Sequence, residues 1–162
     1  MKAIILAAGY ATRLYPLTIN KPKALLTINQ KPIINYIVEQ INTIDVVDEI
    51  YVVTNHKFIN SFAGWQNETI SRAKITVLDD GSTEEQNRKG AIGDIAFVIE
   101  KMNIDDELLV VAGDNFFTYP LKDYYNFYEK KQRDCVCVKV WQDKNTLRNF
   151  GIALLDEEGK VL

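Results

Sequence analysis

The sequence predicts an α/β fold in which helices cover both faces of a mostly parallel sheet. Short apolar runs rich in β-branched residues alternate with segments whose apolar residues recur every three or four positions. The first pattern is typical of buried parallel strands and the second of amphipathic helices. Strands and helices that alternate in this way form right-handed βαβ units. We therefore expect a Rossmann-like three-layer αβα sandwich.

Four apolar segments predict the strands of this sheet. They are KAIILA at 2–7, EIYVVTN at 49–55, AKITVL at 73–78 and ELLVVAG at 107–113. A fifth strand is expected at 135–141, where Cys135 and Cys137 would point to one buried face. Residues 150–162 predict a strand, a turn and the start of a returning strand.

Helical spacing fills the intervals between these strands. Ile34, Ile37 and Ile41 follow one another at intervals of three and four residues, which indicates a helix over 32–44. The polar stretch at 79–90 predicts a loop. Further helices are expected at 58–65, 91–102 and 121–131.

Length and composition are those of a single globular domain, residues 1–162. Hydrophobic residues make up 47% of the chain and charged residues 25%, and no apolar run approaches the roughly 20 residues of a membrane helix. Two closely spaced cysteines that are expected to be reduced thiols indicate a cytoplasmic protein. We expect no membrane partner, and the sequence leaves open whether the chain forms a homo-oligomer.

Positive charge is concentrated near the N-terminus. Residues 1–38 contain five basic residues and no acidic one, although the whole chain has a net charge of −3. A basic segment on an acidic body favours a focused anion site. Nucleic-acid binding usually needs a broad basic face, so we expect no nucleic-acid partner.

The loop after the first strand is the candidate anion site, because ligands bind beyond the carboxyl ends of parallel strands. Small residues around Gly9 let backbone amides approach a phosphate. Arg13 offers a planar fork of donors and Lys23 a mobile point charge. Asp114 follows the fourth strand and is placed to hold Mg²⁺ against the phosphates. This arrangement predicts a site for a nucleoside triphosphate and Mg²⁺.

Three segments resemble motifs of one family. LAAGYATRLYPLTINKPKALL at 6–26 resembles the first motif of the nucleotidyltransferases that join a nucleoside triphosphate to a sugar 1-phosphate or a related phosphorylated alcohol. GDN at 113–115 resembles their metal-binding aspartate motif, and NRKGAIGD at 87–94 resembles the segment that borders the base. The resemblance implies a catalytic role for Arg13, Lys23 and Asp114, a Mg²⁺ ligand in Asp114, acceptor binding by Gly151, and nucleotide binding by Leu6, Ala8, Gly9, Tyr10, Ala11, Thr12, Asn87 and Gly90.

The chemistry implied by this resemblance is attack of an acceptor phosphate on the α-phosphorus, with release of pyrophosphate. A sugar 1-phosphate is the expected acceptor. Phosphocholine with CTP as donor is one alternative, and a nucleotide-binding module without turnover is another. A dinucleotide domain of the dehydrogenase type is a weaker alternative, because the loop after the first strand does not fit G-x-G-x-x-G.

The sequence departs from the family pattern in two places. Ala11 stands where the motif usually has a second glycine, so we expect its backbone to keep a conformation open to alanine. The chain stops at DEEGKVL, before the segment that would supply an acceptor-phosphate lysine. We therefore expect the acceptor-binding C-terminal part to be missing, and the chain alone to turn over little.

Overall fold

The structure, a computed structural model, describes residues 1–141, 147 and 150–162. It contains two compact units, Met1–Tyr125 and Asn126–Leu162. The strands are β1 (Lys2–Leu6), β2 (Thr27–Ile28), β3 (Lys31–Pro32), β4 (Glu49–Thr54), β5 (Lys74–Asp79) and β6 (Leu108–Ala112). The helices are α1 (Ile33–Asn42), α2 (Ile59–Glu68), α3 (Gly90–Met102) and α4 (Leu121–Lys131).

The main sheet has four parallel strands in the order β5-β4-β1-β6. Leu6 at the end of β1 is in register with Val53 on one side and Ala112 on the other. The chain therefore builds outward from β1 in one direction and then crosses to its other side. This reversal makes the carboxyl ends of β1 and β6 the switch point where ligands bind in open α/β sheets.

Apolar side chains cover both faces of the main sheet. On one face, Ile5 and Ile50 belong to a fully buried cluster with Ile37 of α1 and Phe62 of α2. On the other face, Ile4, Tyr51 and Val53 pack with Val98 of α3. Each fully buried aliphatic side chain of this kind contributes about 1.5–3 kcal/mol by leaving water. The αβα sandwich predicted from the sequence is confirmed.

The unit Asn126–Leu162 differs from the sequence prediction. The expected strand at 135–141 is wrong, because the described residues form no strand there. Val136, Val138 and Val140 alternate as they would in a strand but are exposed. The expected burial of the thiols is also wrong, since Cys137 is exposed and Cys135 only half-buried. Alternation specifies a strand only where neighbouring strands complete its hydrogen bonds and cover one face.

The hairpin expected at 150–162 is present, but it is limited to a single bridge and a turn. Leu155 and Val161 form an antiparallel bridge, and the N–H of Asp156 donates to the carbonyl of Lys160 over 3.0 Å. Gly159 has φ +79°, which a turn of this kind needs. The assignment of 1–162 to a single domain stays a prediction. No helix in the described chain has the length and apolar character needed to cross a bilayer.

Candidate functional site

A cavity of about 590 Å³ opens at the carboxyl ends of β1 and β6. Its walls come from the loop after β1, the turn around Lys23, the segment before α3 and the residues after β6. The lining residues are Leu6, Ala7, Gly9, Tyr10, Ala11, Thr12, Arg13, Leu14, Lys23, Ala24, Glu85, Arg88, Gly113 and Asp114. Most of the residues expected from the sequence therefore meet here, inside the unit Met1–Tyr125.

The loop from Ala8 to Arg13, here called the β1 loop, presents unused backbone donors. Within the described chain, the N–H groups of residues 9–13 donate to no backbone or side-chain acceptor. Ala11 has φ 49° and ψ 41°. This is the left-handed region, which alanine can adopt but which costs an L-residue about 1–2 kcal/mol. Gly9, by contrast, has no positive φ.

Hydrogen bonds of buried side chains fix the position of the β1 loop. The Nδ2 of Asn55 donates to the carbonyl of Ala8 over 2.9 Å, and the Oγ1 of Thr18 donates to the carbonyl of Ala11 over 2.8 Å. The hydroxyl of Tyr10 donates to the carbonyl of Ser82 over 3.0 Å. Burial is the main reason that the pKa of Tyr10 is raised, so this phenol stays a neutral donor.

Two cations reach the cavity from short 3-10 turns. Arg13 lies in the turn Thr12–Leu14, and Lys23 begins the turn Lys23–Leu25 directly after Pro22. The Nζ of Lys23 lies 2.6 Å from the Oδ2 of Asp114. Both side chains are about 40% exposed, at 39% and 42%, and ion pairs at such sites contribute little to stability. The pair can therefore exchange partners at low cost.

Gly113 brings Asp114 close to the β1 loop. Its N–H donates to the carbonyl of Leu6 over 2.8 Å, which extends the pairing of β6 with β1 by one residue. A Cβ on Gly113 would lie 2.9 Å from that same oxygen and 3.2 Å from the Cβ of Ala7. Only glycine allows this approach without a shift of the backbone.

The donor chemistry of the cavity fits Mg²⁺ held largely by a ligand. Asp114 offers a hard carboxylate oxygen next to the loop donors, and the described residues contain no cluster of three or more His, Cys, Asp or Glu side chains arranged for a metal. Mg²⁺ commonly takes one or two protein carboxylates and completes its shell with phosphate oxygens and water. Asp114 alone is sufficient for that mode.

Sequence reasoning missed the two charged residues that the segment before α3 adds to the cavity wall, Glu85 and Arg88. The Nη1 of Arg88 lies 2.8 Å from the Oε1 of Glu85. The Oε2 of Glu85 is buried and has no hydrogen-bond partner in the described part of the chain. The available signal was the charged run EEQNR directly before α3, which reads as an ordinary polar loop when its folded position is unknown.

Four residues assigned from the resemblance do not line the cavity. Ala8 is buried at the start of the β1 loop, and Gly90 begins α3 with φ 73°. The side chain of Asn87 caps its own turn, because its Oδ1 accepts from the N–H groups of Thr83 and Glu84. Gly151 belongs to the unit Asn126–Leu162. Contacts of these residues with a base or an acceptor stay predictions.

A pair of buried carboxylates lies beside the segment that supports Tyr10. Asp80 and Asp94 are 4% and 5% exposed, and the Oδ2 of Asp80 and the Oδ1 of Asp94 have no hydrogen-bond partner among the described residues. The other oxygen of Asp80 accepts from the N–H and the hydroxyl of Ser82. Burial, and then the neighbouring charge of Asp80, raises the pKa of Asp94 to about 6.

Comparison with known proteins connects this geometry to a family. A family model described as nucleotidyl transferase matches residues 2–162. The bifunctional protein GlmU of Methanocaldococcus jannaschii is 34% identical over 162 residues, which are 100% of this chain and 35% of that protein. A putative mannose-1-phosphate guanyltransferase of Sulfolobus acidocaldarius is 32% identical over 133 residues, or 81% of this chain and 34% of the relative. The chain thus spans about a third of the length of these curated relatives.

Similarity to cytidylyltransferases is higher but more local. A choline-phosphate cytidylyltransferase of Streptococcus pneumoniae is 55% identical over 53 residues, which are 33% of this chain and 23% of that protein. The solved CTP:phosphocholine cytidylyltransferase of the same species has a TM-score of 0.56 and 28% identity, and the match covers 74% of this chain and 47% of that one.

Proposed function

This chain belongs to the nucleotidyl transferase family, and we propose that it binds a nucleoside triphosphate and directs its transfer to a sugar 1-phosphate. The single observation that carries the proposal is the convergence of the unused N–H groups of the β1 loop, Arg13, Lys23 and Asp114 on one cavity. Because the chain spans about a third of its relatives, the activity of the whole protein is part of the proposal.

The proposed reaction forms one phosphorus–oxygen bond and breaks another. An oxygen of the acceptor phosphate attacks the α-phosphorus of the nucleotide, and the bond from that phosphorus to the bridging oxygen of the β-phosphate breaks. Pyrophosphate leaves with the bonding electrons. No protein nucleophile takes part, so the chain contributes position and charge neutralisation.

Each charged residue of the cavity has a distinct task in this proposal. The amides of the β1 loop and the guanidinium of Arg13 hold the β- and γ-phosphates, which become the leaving group. Lys23 gives up its ion pair with Asp114 and turns to the α-phosphate. The carboxylate of Asp114 is then free to hold Mg²⁺, which neutralises phosphate charge when bound.

A second candidate function is cytidylyl transfer from CTP to phosphocholine. The 55% identity over 53 residues with a choline-phosphate cytidylyltransferase favours it. Glu85 adds a physical reason, because its carboxylate, which Arg88 holds over 2.8 Å, is a hydrogen-bond acceptor in the cavity wall. Cytosine offers an exocyclic amino group as donor, whereas uracil and thymine offer only one ring N–H. Glu85→Gln should therefore reduce any preference for CTP over UTP.

Nucleotide binding is tested with ATP, CTP, GTP, UTP and dTTP by calorimetry in the presence of Mg²⁺. Charge-assisted hydrogen bonds contribute about 1.5–3 kcal/mol, so Arg13→Ala and Lys23→Ala should each weaken binding of the preferred triphosphate about 10- to 100-fold. Binding of the matching nucleoside should change far less. Lys21→Ala is the matched control, since Lys21 is exposed and does not line the cavity. Equal losses for triphosphate and nucleoside would contradict the phosphate assignment.

The metal and the acceptor need separate measurements. Asp114→Asn preserves shape and removes one charge, so it should abolish the effect of Mg²⁺ on triphosphate binding. An unchanged response to Mg²⁺ would remove Asp114 from the metal site. Pyrophosphate release is then measured with a panel of sugar 1-phosphates and with phosphocholine. Release that depends on phosphocholine alone selects the second candidate, and release that depends on a sugar 1-phosphate supports the first.

A further inference from the structure

Two buried side chains outside the cavity determine which way the β1 loop presents its donors. We propose that Thr18 and Asn55 are positioning residues for the triphosphate, because they fix the carbonyl groups of Ala11 and Ala8. This inference rests on the proposed function, since it assigns a role in binding phosphate. Neither residue lines the cavity, and neither would touch the ligand.

Both positioning residues, here called anchors, are fully buried, and their side chains make hydrogen bonds to the backbone. Thr18 and Asn55 are each 0% exposed. Thr18 donates to the carbonyl of Ala11, and Asn55 donates to the carbonyl of Ala8. The Oδ1 of Asn55 also accepts from the N–H of Phe58 over 3.2 Å, which caps the turn that leads into α2. Asn55 is thereby held at both ends of its amide.

The direction of a carbonyl sets the direction of the next N–H. In a planar trans peptide the C=O bond and the following N–H bond point in opposite directions. A carbonyl of Ala8 that points inward to Asn55 therefore turns the N–H of Gly9 outward. The same relation between Ala11 and Thr18 turns the N–H of Thr12 outward. Gly9 and Thr12 both line the cavity, so the two anchored peptides direct donors at the ligand.

The anchor at Thr18 also compensates an unfavourable backbone conformation. Ala11 adopts left-handed angles that alanine resists. Its carbonyl accepts from the hydroxyl of Thr18 and, over 2.9 Å, from the N–H of Leu14. Removal of the hydroxyl leaves this peptide less well fixed while the apolar core stays intact. The proposed effect is on the geometry of the loop and so on triphosphate binding.

The experiment compares Thr18→Val, Thr18→Ser and the control Thr69→Val. Valine keeps the shape of threonine and removes the hydroxyl, whereas serine keeps the hydroxyl. Thr69 donates to the carbonyl of Trp65 over 2.7 Å at the end of α2, so Thr69→Val removes the same kind of bond at a residue that does not line the cavity. The probes are inorganic tripolyphosphate, CTP, UTP and the corresponding nucleosides, measured by calorimetry.

One intramolecular hydrogen bond is worth about 0.5–1.5 kcal/mol, so Thr18→Val should weaken tripolyphosphate and nucleoside triphosphate binding about 3- to 10-fold. Nucleoside binding should stay unchanged, Thr18→Ser should restore the parent affinity, and Thr69→Val should have no effect on binding. Asn55→Ser, which keeps an N-cap oxygen but is too short to reach Ala8, should show the same loss of triphosphate selectivity.

If Thr18→Val unfolds the chain, Asn55→Ser carries the test. If Thr18→Val folds, a double-mutant cycle tests its link to Ala11. Glycine adopts left-handed angles without penalty, so Thr18→Val should cost less binding in an Ala11→Gly background than alone. Additive effects, or equal losses for nucleoside and triphosphate, would overturn the positioning role. If the parent chain binds triphosphate and Thr18→Val binds it equally well, the proposed function stands and this inference fails. If the parent chain binds no triphosphate, both fail.

Discussion

Two groups of buried polar residues near the cavity differ in how well their hydrogen bonds are satisfied. Thr18 and Asn55 donate to backbone carbonyls with good geometry. Asp80 and Asp94 are just as buried, but each keeps one carboxylate oxygen without a partner in the described chain. The first group is a fixed support, whereas the second has a stability that depends on pH. Burial alone therefore does not tell which polar residue stabilises a site.

The largest expected effect comes from Asp94→Asn. The pKa of Asp94 is raised to about 6 by burial and by Asp80, with a smaller opposing effect of Lys89. The unfolded chain releases this proton near pH 4, but the folded chain keeps it until about pH 6. The parent therefore loses about 2–3 kcal/mol of stability between these pH values, and does not regain it above them.

Urea unfolding at pH 4 and pH 7 measures this effect. The free energy of unfolding of Asp94→Asn relative to the parent should rise by about 2–3 kcal/mol between the two pH values. Asp105→Asn is the control, because Asp105 is exposed. A constant difference between Asp94→Asn and the parent would show that the pKa of Asp94 is the same in the folded and the unfolded chain, and the contrast between the two groups would disappear.

Asn55→Ala should remove the hydrogen bonds of one of the two well-satisfied buried residues and so lower the stability of the chain. It removes the donor to Ala8 and the acceptor that caps the turn before α2, so we expect a loss of about 2 kcal/mol in the free energy of unfolding. Asn60→Ala changes an exposed residue of the same type within α2 and should be nearly neutral. Equal stability of the two variants would mean that the anchor contributes nothing to the fold.

A comparison of two threonines sharpens the contrast further. Thr18 and Thr54 are both 0% exposed, but the Oγ1 of Thr54 has no hydrogen-bond partner in the described residues. Thr54→Val should raise the free energy of unfolding by about 1 kcal/mol, and Thr18→Val should lower it by a similar amount. Urea unfolding measures both shifts as changes of the denaturation midpoint, with the dependence of the unfolding free energy on urea unchanged. Shifts in the same direction would contradict the assigned hydrogen bonding.

The smallest expected effect is that of Ala11→Gly. Glycine relieves the left-handed conformation of Ala11 but costs more chain entropy on folding, so the net gain should be about 0.5 kcal/mol. Thermal unfolding of the variant should show a slightly raised Tm. A lowered Tm would indicate that the methyl group of Ala11 makes contacts that outweigh its strain.

Features of the fold and the site could be predicted from the sequence where they depend on nearby residues, and not where they depend on residues distant in the chain. β1, β4, β5 and β6 were predictable because continuous apolar runs are needed wherever both faces of a sheet are covered. The grouping of Arg13, Lys23 and Asp114 followed from the rule that ligands bind beyond the carboxyl ends of parallel strands. The pairing of the strands was not needed for either step.

Features that depend on tertiary partners were not predictable. The left-handed backbone of Ala11 and its anchor at Thr18 form one unit, which a residue-by-residue reading cannot see. Asn55 reaches back 47 positions to Ala8. Glu85 can be identified as a cavity residue only once its segment is seen to form a wall of the cavity. The error at 135–141 has the same origin, because its alternating pattern states a capacity for pairing and not the pairing itself.

The strand order has a consequence for how binding competence arises during folding. β6 pairs with β1, and Lys23 meets Asp114 across 91 positions of sequence. Closing a loop of that length costs chain entropy before its contacts form, and this cost slows folding. A chain in which β6 has not yet docked holds the β1 loop and its cations but no facing carboxylate. The cavity therefore gains the carboxylate of Asp114 late, when β6 docks against β1.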